Sequence, residues 1–89
     1  MVTIRKLEQQ LKAVANARRL AMLSYLKKNK SATAGKIARA VRVSMPPASQ
    51  HFRILKAAGI IEYKRRGKYI SYRLSLKQEE PIRKILSLL

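Results

Sequence analysis

The chain lacks cysteine, tryptophan and aspartate, and it holds a single histidine, His51. Without cysteine there is no disulfide and no thiolate metal site. One histidine and four scattered glutamates (Glu8, Glu62, Glu79 and Glu80) do not make a multi-ligand metal centre. The same shortage leaves no nucleophile–base pair and no paired carboxylates, so no enzyme chemistry is expected. Gly35 precedes Lys36, but a phosphate-cradling loop needs further glycines at set spacing. No apolar run approaches the roughly 18 residues of a membrane span. Residues 1–12 lack the apolar core of a signal peptide. A soluble, cytoplasmic chain without metal or cofactor is expected.

What the sequence has in excess is positive charge. Its 21 Lys and Arg face four acids, a net charge of +17. Solubility does not require so one-sided a balance. A field of this sign attracts polyanions, with nucleic acid the first class of partner and an anionic membrane surface the second. The 89 residues suit one domain, 1–89, and 47% hydrophobic content argues against disorder. A core this small gains stability from a second subunit.

Three Gly (35, 59, 67) and three Pro (46, 47, 81) punctuate the chain into short elements. Residues 3–14 predict a helix with Ile4, Leu7, Leu11 and Val14 on one narrow stripe, suited to a seam with another helix. Asn16 caps a helix over 17–28, apolar over a wide arc, with Lys27, Lys28 and Lys30 at its negative C-terminal end. Thr33 caps a short helix over 34–40, with Ile37, Ala38 and Val41 inward. Ser44 caps a fourth, whose first turn tolerates Pro46 and Pro47 and which runs to Ala58, with Gly59 at the left-handed exit position. Residues 60–64 and 69–74 read as two strands around Arg65-Arg66-Gly67-Lys68. Pro81 opens a last helix with Ile82, Ile85, Leu86 and Leu89 on one face.

The expected fold is mainly α with a small β-hairpin. It is a winged helix-turn-helix of order α-α-α-α-β-β-α, with the helix-turn-helix over 34–59 and the wing over 60–75. The terminal helices, 1–14 and 81–89, are left over for a homodimer interface.

On the fourth helix, Ala48, Phe52 and Leu55 share a core direction at 100° per residue. Pro46, Ser49, Gln50 and Arg53 point the other way, with Lys56 at the margin and no acid among them. Gln pairs with adenine and Arg with guanine, so Gln50 and Arg53 are the expected base readers in a major groove. Lys56, near the helix end, is expected on phosphate, as are Arg39 and Arg42. At the hairpin tip, Arg65, Arg66 and Lys68 suit a minor groove or backbone. Tyr63, Tyr69 and Tyr72 are read as strand packing rather than base stacking. His51 is read as a packed histidine with one hydrogen bond.

These residues carry a family resemblance. Residues 44–61, SMPPASQHFRILKAAGII, resemble the recognition helix of the ArsR/SmtB winged-helix repressors, with its capping Ser, Ser-x-His-Leu core and Ala-Gly exit. Residues 11–26, LKAVANARRLAMLSYL, resemble that family's Leu-x-x-Leu-(Ala)-x-x-x-Arg-Leu-x-Ile-Leu pattern, and residues 65–75 its wing with the Tyr-Arg-Leu strand. The resemblance implies a homodimer through first and last helices, and paired recognition helices on half-sites about one helical turn apart. Thr33, Gly35 and Ala38 stand where many members carry metal-sensing cysteines, so metal sensing is not carried over. Arg42 stands at a turn position that is commonly small or Asn-like. A positive φ there costs Arg about 1 kcal/mol. The expected function is a sequence-specific duplex-DNA regulator, a repressor without metal sensing, acting at the nucleoid. The alternatives are a low-specificity architectural DNA coat and, third, an RNA-binding protein.

Overall fold

The computed structural model describes residues 3–89. Met1 and Val2, assigned above to the first helix segment, lie outside the described residues. Capping side chains start three of the helices. In α1 (Ile4–Val14), the Thr3 hydroxyl accepts from the amide of Lys6 at 3.1 Å. In α2 (Ala17–Asn29), Asn16 accepts from Arg19 at 3.1 Å. In α3 (Ala34–Ala40), Thr33 accepts from Lys36 at 3.3 Å. Each bond satisfies an amide that has no intrahelical partner.

The helix α4 (Met45–Ala57) begins at Ser44 but receives no such bond. The cap oxygen ordinarily accepts from the second or third helical amide. Here those positions are Pro46 and Pro47, which have no N–H. The Ser44 hydroxyl is therefore left exposed and without a bond inside the helix.

Helices α3 and α4 end the same way. The amides of Val43 and Arg42 reach back to Ala38 (2.9 Å) and Arg39 (3.2 Å), and those of Ile60 and Gly59 to Leu55 (3.0 Å) and Lys56 (2.9 Å). Both are paired Schellman closures, which demand a left-handed residue. Gly59 fills one at φ 75° and Arg42 the other at φ 59°. The turn between α3 and α4 is thus fixed by an arginine in a glycine's conformation.

The strands are β2 (Ile61–Arg66) and β3 (Tyr69–Leu74), joined at Gly67 (φ 59°) and Lys68. A positive φ at the first of two loop residues is the glycine-first pattern of tight hairpins. The first strand starts one residue later and runs two residues further than the 60–64 expected from the sequence. One element was absent from the expected order: β1 (Ser31–Thr33) pairs antiparallel with β3, giving a three-stranded sheet of order β1-β3-β2. Three residues leave no periodicity to read, and only the presence of β3 alongside makes them a strand. After β3, α5 (Glu80–Ser87) returns to pack on α2.

The core is where these elements converge. Phe52, Met22, Leu23, Leu26, Ile37, Leu55, Ile60 and Ile82 are its large, fully buried side chains. Each such burial contributes about 1.5–3 kcal/mol before entropy is counted. Ala48, Phe52 and Leu55 face inward as expected, and Phe52 stacks on Tyr72 of β3 at 4.4 Å. That contact fixes α4 against the inner face of the sheet. Among the described residues, no helix is long and apolar enough to cross a membrane.

Candidate nucleic-acid interface

With its core face held on the sheet, α4 turns Pro46, Ser49, Gln50, Arg53 and Lys56 outward, all exposed. Arg39 at the end of α3 and Arg42 in the turn are exposed too. Arg42 owes its position to the left-handed turn, which projects it from the corner between the helices. The described ion pairs, Lys12–Glu8, Arg73–Glu62 and Arg83–Glu80, lie elsewhere and leave these cations free of carboxylates. Lys56 departs from a purely outward role. Its Nζ lies 4.5 Å from the centre of the Tyr63 ring on β2, tying the end of α4 to the hairpin.

The hairpin divides its own charges. Cross-strand partners share a face, and successive residues alternate. Arg65 pairs with Ile70 and lies on the face of Tyr63 and Tyr72, the α4 side. Arg66 pairs with Tyr69 on the opposite face, with Lys64. Lys68 is in the loop, 5.7 Å from the Tyr69 ring. So Arg65 groups with α4, Arg66 does not, and Lys68 sits at the tip beside Tyr69. The sequence alone set no strand register and so did not separate the two arginines. Of the tyrosines, Tyr72 packs as expected, and burial pushes its hydroxyl pKa up. Tyr63 and Tyr69 remain largely exposed.

Behind α4 sits a latch that sequence reasoning missed. The Arg19 guanidinium donates to the carbonyls of Ala13 (2.6 Å) and Lys12 (3.3 Å) in the last turn of α1, and lies 3.1 Å from His51 Nδ1. One side chain joins α1, α2 and α4. A guanidinium against a helix C-terminus also meets the negative end of its dipole. His51 is half-buried as expected. Burial and then the charges of Arg19 and Arg18 hold its pKa below 6.5. Lys27, expected to serve its own helix, instead donates to the carbonyls of Leu86 (2.8 Å) and Leu89 (2.9 Å) at the end of α5.

The terminal helices split their apolar residues between two uses. Ile82, fully buried, and the nearly buried Val14 and Leu86 are taken up by the chain's own core and cannot form the main surface of an interface. Ile4 (88% exposed), Leu11 (45%), Leu88 (83%) and Leu89 (36%) stay open, with Leu7 and Ile85 half-buried. The reason is geometric: α1 turns Gln10, Ala13 and Val14 inward, which rotates most of its apolar stripe away from its own core.

Comparison with known proteins places this arrangement. A family model described as a helix-turn-helix domain matches residues 14–64, more than half of the chain. No curated protein matches. Among solved structures, the chain is similar to HlyU from Vibrio cholerae N16961 (26% identity, 94% of this chain and 87% of that one, TM-score 0.79). It is similar to the homodimeric winged helix-turn-helix DNA-binding domain of Mb0332 from Mycobacterium bovis, a possible ArsR-family transcriptional regulator (28%, 96% and 75%, TM-score 0.80). It is also similar to the transcriptional repressor BigR from Xylella fastidiosa (26%, 94% and 79%, TM-score 0.74). The chain belongs to the helix-turn-helix domain family, in the winged form shared with ArsR-type regulators.

Proposed function

We propose that the protein is a homodimeric regulator of transcription that binds duplex DNA, a repressor without metal sensing that acts in the cytoplasm at the nucleoid. The observation that carries this reading is the acid-free outward face of α4, which is held on the sheet by Phe52 and flanked by the Arg42 turn and the Arg65 side of the hairpin. In a major groove, Gln50 pairs with adenine and Arg53 with guanine, while Ser49 bonds base or phosphate. Arg39, Arg42 and the unbonded Ser44 hydroxyl meet phosphates, and Lys56 does so from its seat over Tyr63. Arg65 and Lys68 reach the flanking minor groove. The exposed Ile4, Leu11, Leu88 and Leu89, with Leu7 and Ile85, form the dimer seam. The reading is of a binding protein and not of a catalyst.

Recovery of bound sequences from a random duplex pool tests it. A palindrome with half-sites about one helical turn apart is the expected result. The net charge of +17 favours a second reading, a DNA coat with little sequence preference. A site preferred over random DNA by about 10³-fold or more selects the regulator, and a ratio under about 10 selects the coat.

A further inference from the structure

The face of the sheet turned away from α4 carries its own chemistry. Register sets three rows across it: Ser31, Arg73 and Glu62; Thr33, Ser71 and Lys64; then Tyr69 and Arg66. Six of these residues, Ser31, Glu62, Lys64, Arg66, Ser71 and Arg73, line a depression of about 470 Å³. A second depression of about 420 Å³ shares Ser31 and Ser71 and continues to Lys36; Arg39, which also lines it, is counted with the α4 site and not with this one. Arg73 is matched by Glu62 at 3.1 Å, so the charge left over is that of Lys64 and Arg66, beside two serine hydroxyls. Cations and hydroxyls on an open polar floor, with a single carboxylate already paired, are the donor set that phosphate oxygens accept from. Lys64 and Arg66 stand two residues apart on one strand, about 6.8 Å, comparable with two steps of the charge spacing along one DNA strand.

This surface and the outward face of α4 lie back to back. Phe52 on Tyr72 puts the sheet and the full diameter of α4, about 10 Å, between them. A duplex with a persistence length of about 50 nm, seated on α4, does not fold back to the far side of one small domain. We propose that the outer face of the β1-β3-β2 sheet is a second phosphate-backbone site that takes another duplex, so that the protein bridges two DNA segments. The inference rests on the reading of α4 as the first DNA site.

The test uses the whole protein at ~0.15 M salt, where the screening length is about 8 Å. Beads carrying one short duplex are incubated with protein and a second, labelled duplex. The wild type carries label onto the beads. Lys64→Glu with Ser71→Glu lowers that capture about tenfold and shifts the affinity for a single duplex by less than about threefold. Lys64→Gln with Ser71→Ala, which reverses no charge, lowers capture in the same direction and guards against misfolding, with thermal melting as the check. Three outcomes overturn the proposal: no capture by the wild type, capture unchanged in both variants, or an equal loss of single-duplex affinity. The first two leave single-duplex binding through α4 standing. Failure of Gln50→Ala with Arg53→Ala to weaken single-duplex binding strikes the α4 reading instead.

Discussion

Arg42 holds φ 59° in a closure that Gly59 fills without strain at the end of the next helix. A non-glycine residue there costs about 1–2 kcal/mol. Replacing it by glycine gives part of that back to a looser unfolded chain. Arg42→Gly is expected to stabilise the fold by about 0.5–1 kcal/mol in urea titration and to weaken DNA binding. Greater stability with unchanged affinity would remove Arg42 from the phosphate contacts. At His51 the expectation concerns pH. Its pKa is held low in the folded state, by burial first and then by Arg19 and Arg18. As pH falls through 6.5 the unfolded chain takes up a proton that the folded chain refuses, so stability falls, levelling off below the folded pKa. The melting temperature should drop between about pH 7 and 5.5, before carboxylates titrate, and His51→Gln should flatten that drop.

At the scale of elements, two caps that look alike in sequence should behave differently. Thr33 bonds the amide of Lys36, and Thr33→Ala is expected to cost about 1 kcal/mol. Ser44 faces Pro46 and Pro47 and bonds no amide in its helix, so Ser44→Ala should cost at most a few tenths. Equal losses in denaturant titration would contradict the proline argument. Most helix boundaries were legible because caps, prolines and Gly59 are local signals. The Arg19 latch was not: it joins residues 6 and 32 apart, and only folding brings them together. The strand β1 was hidden for the same reason, since its partner lies some forty residues later.

For the whole molecule, the open apolar residues of α1 make a separable test of the dimer. Ile4→Glu with Leu11→Glu changes exposed positions, so circular dichroism should stay that of the folded chain while sedimentation shows monomers. A dimer that persists would move the interface elsewhere. A dimer meeting about 8 phosphates should show a log–log slope of affinity on salt near −7. A slope shallower than about −3 would mean that charge is not what holds DNA.

Composition and local pattern alone settled the charge, the absence of thiolate ligands, the helices with the caps Asn16 and Thr33, and the inward and outward sides of α4. These depend on residues within a turn or two of one another, and on sums over the chain. The tertiary structure decided which cations act together. Strand register put Arg65 on the α4 side and Lys64 and Arg66 on the other, and the rotation of α1 and α5 drew Val14, Ile82 and Leu86 into the core while leaving Ile4, Leu11, Leu88 and Leu89 outside. A hairpin slipped by one residue would present every side chain to the opposite face, and nothing in the basic run at its tip fixes that choice. It is fixed by Ile61, Tyr72 and Leu74 turning inward, with Phe52 stacked on Tyr72.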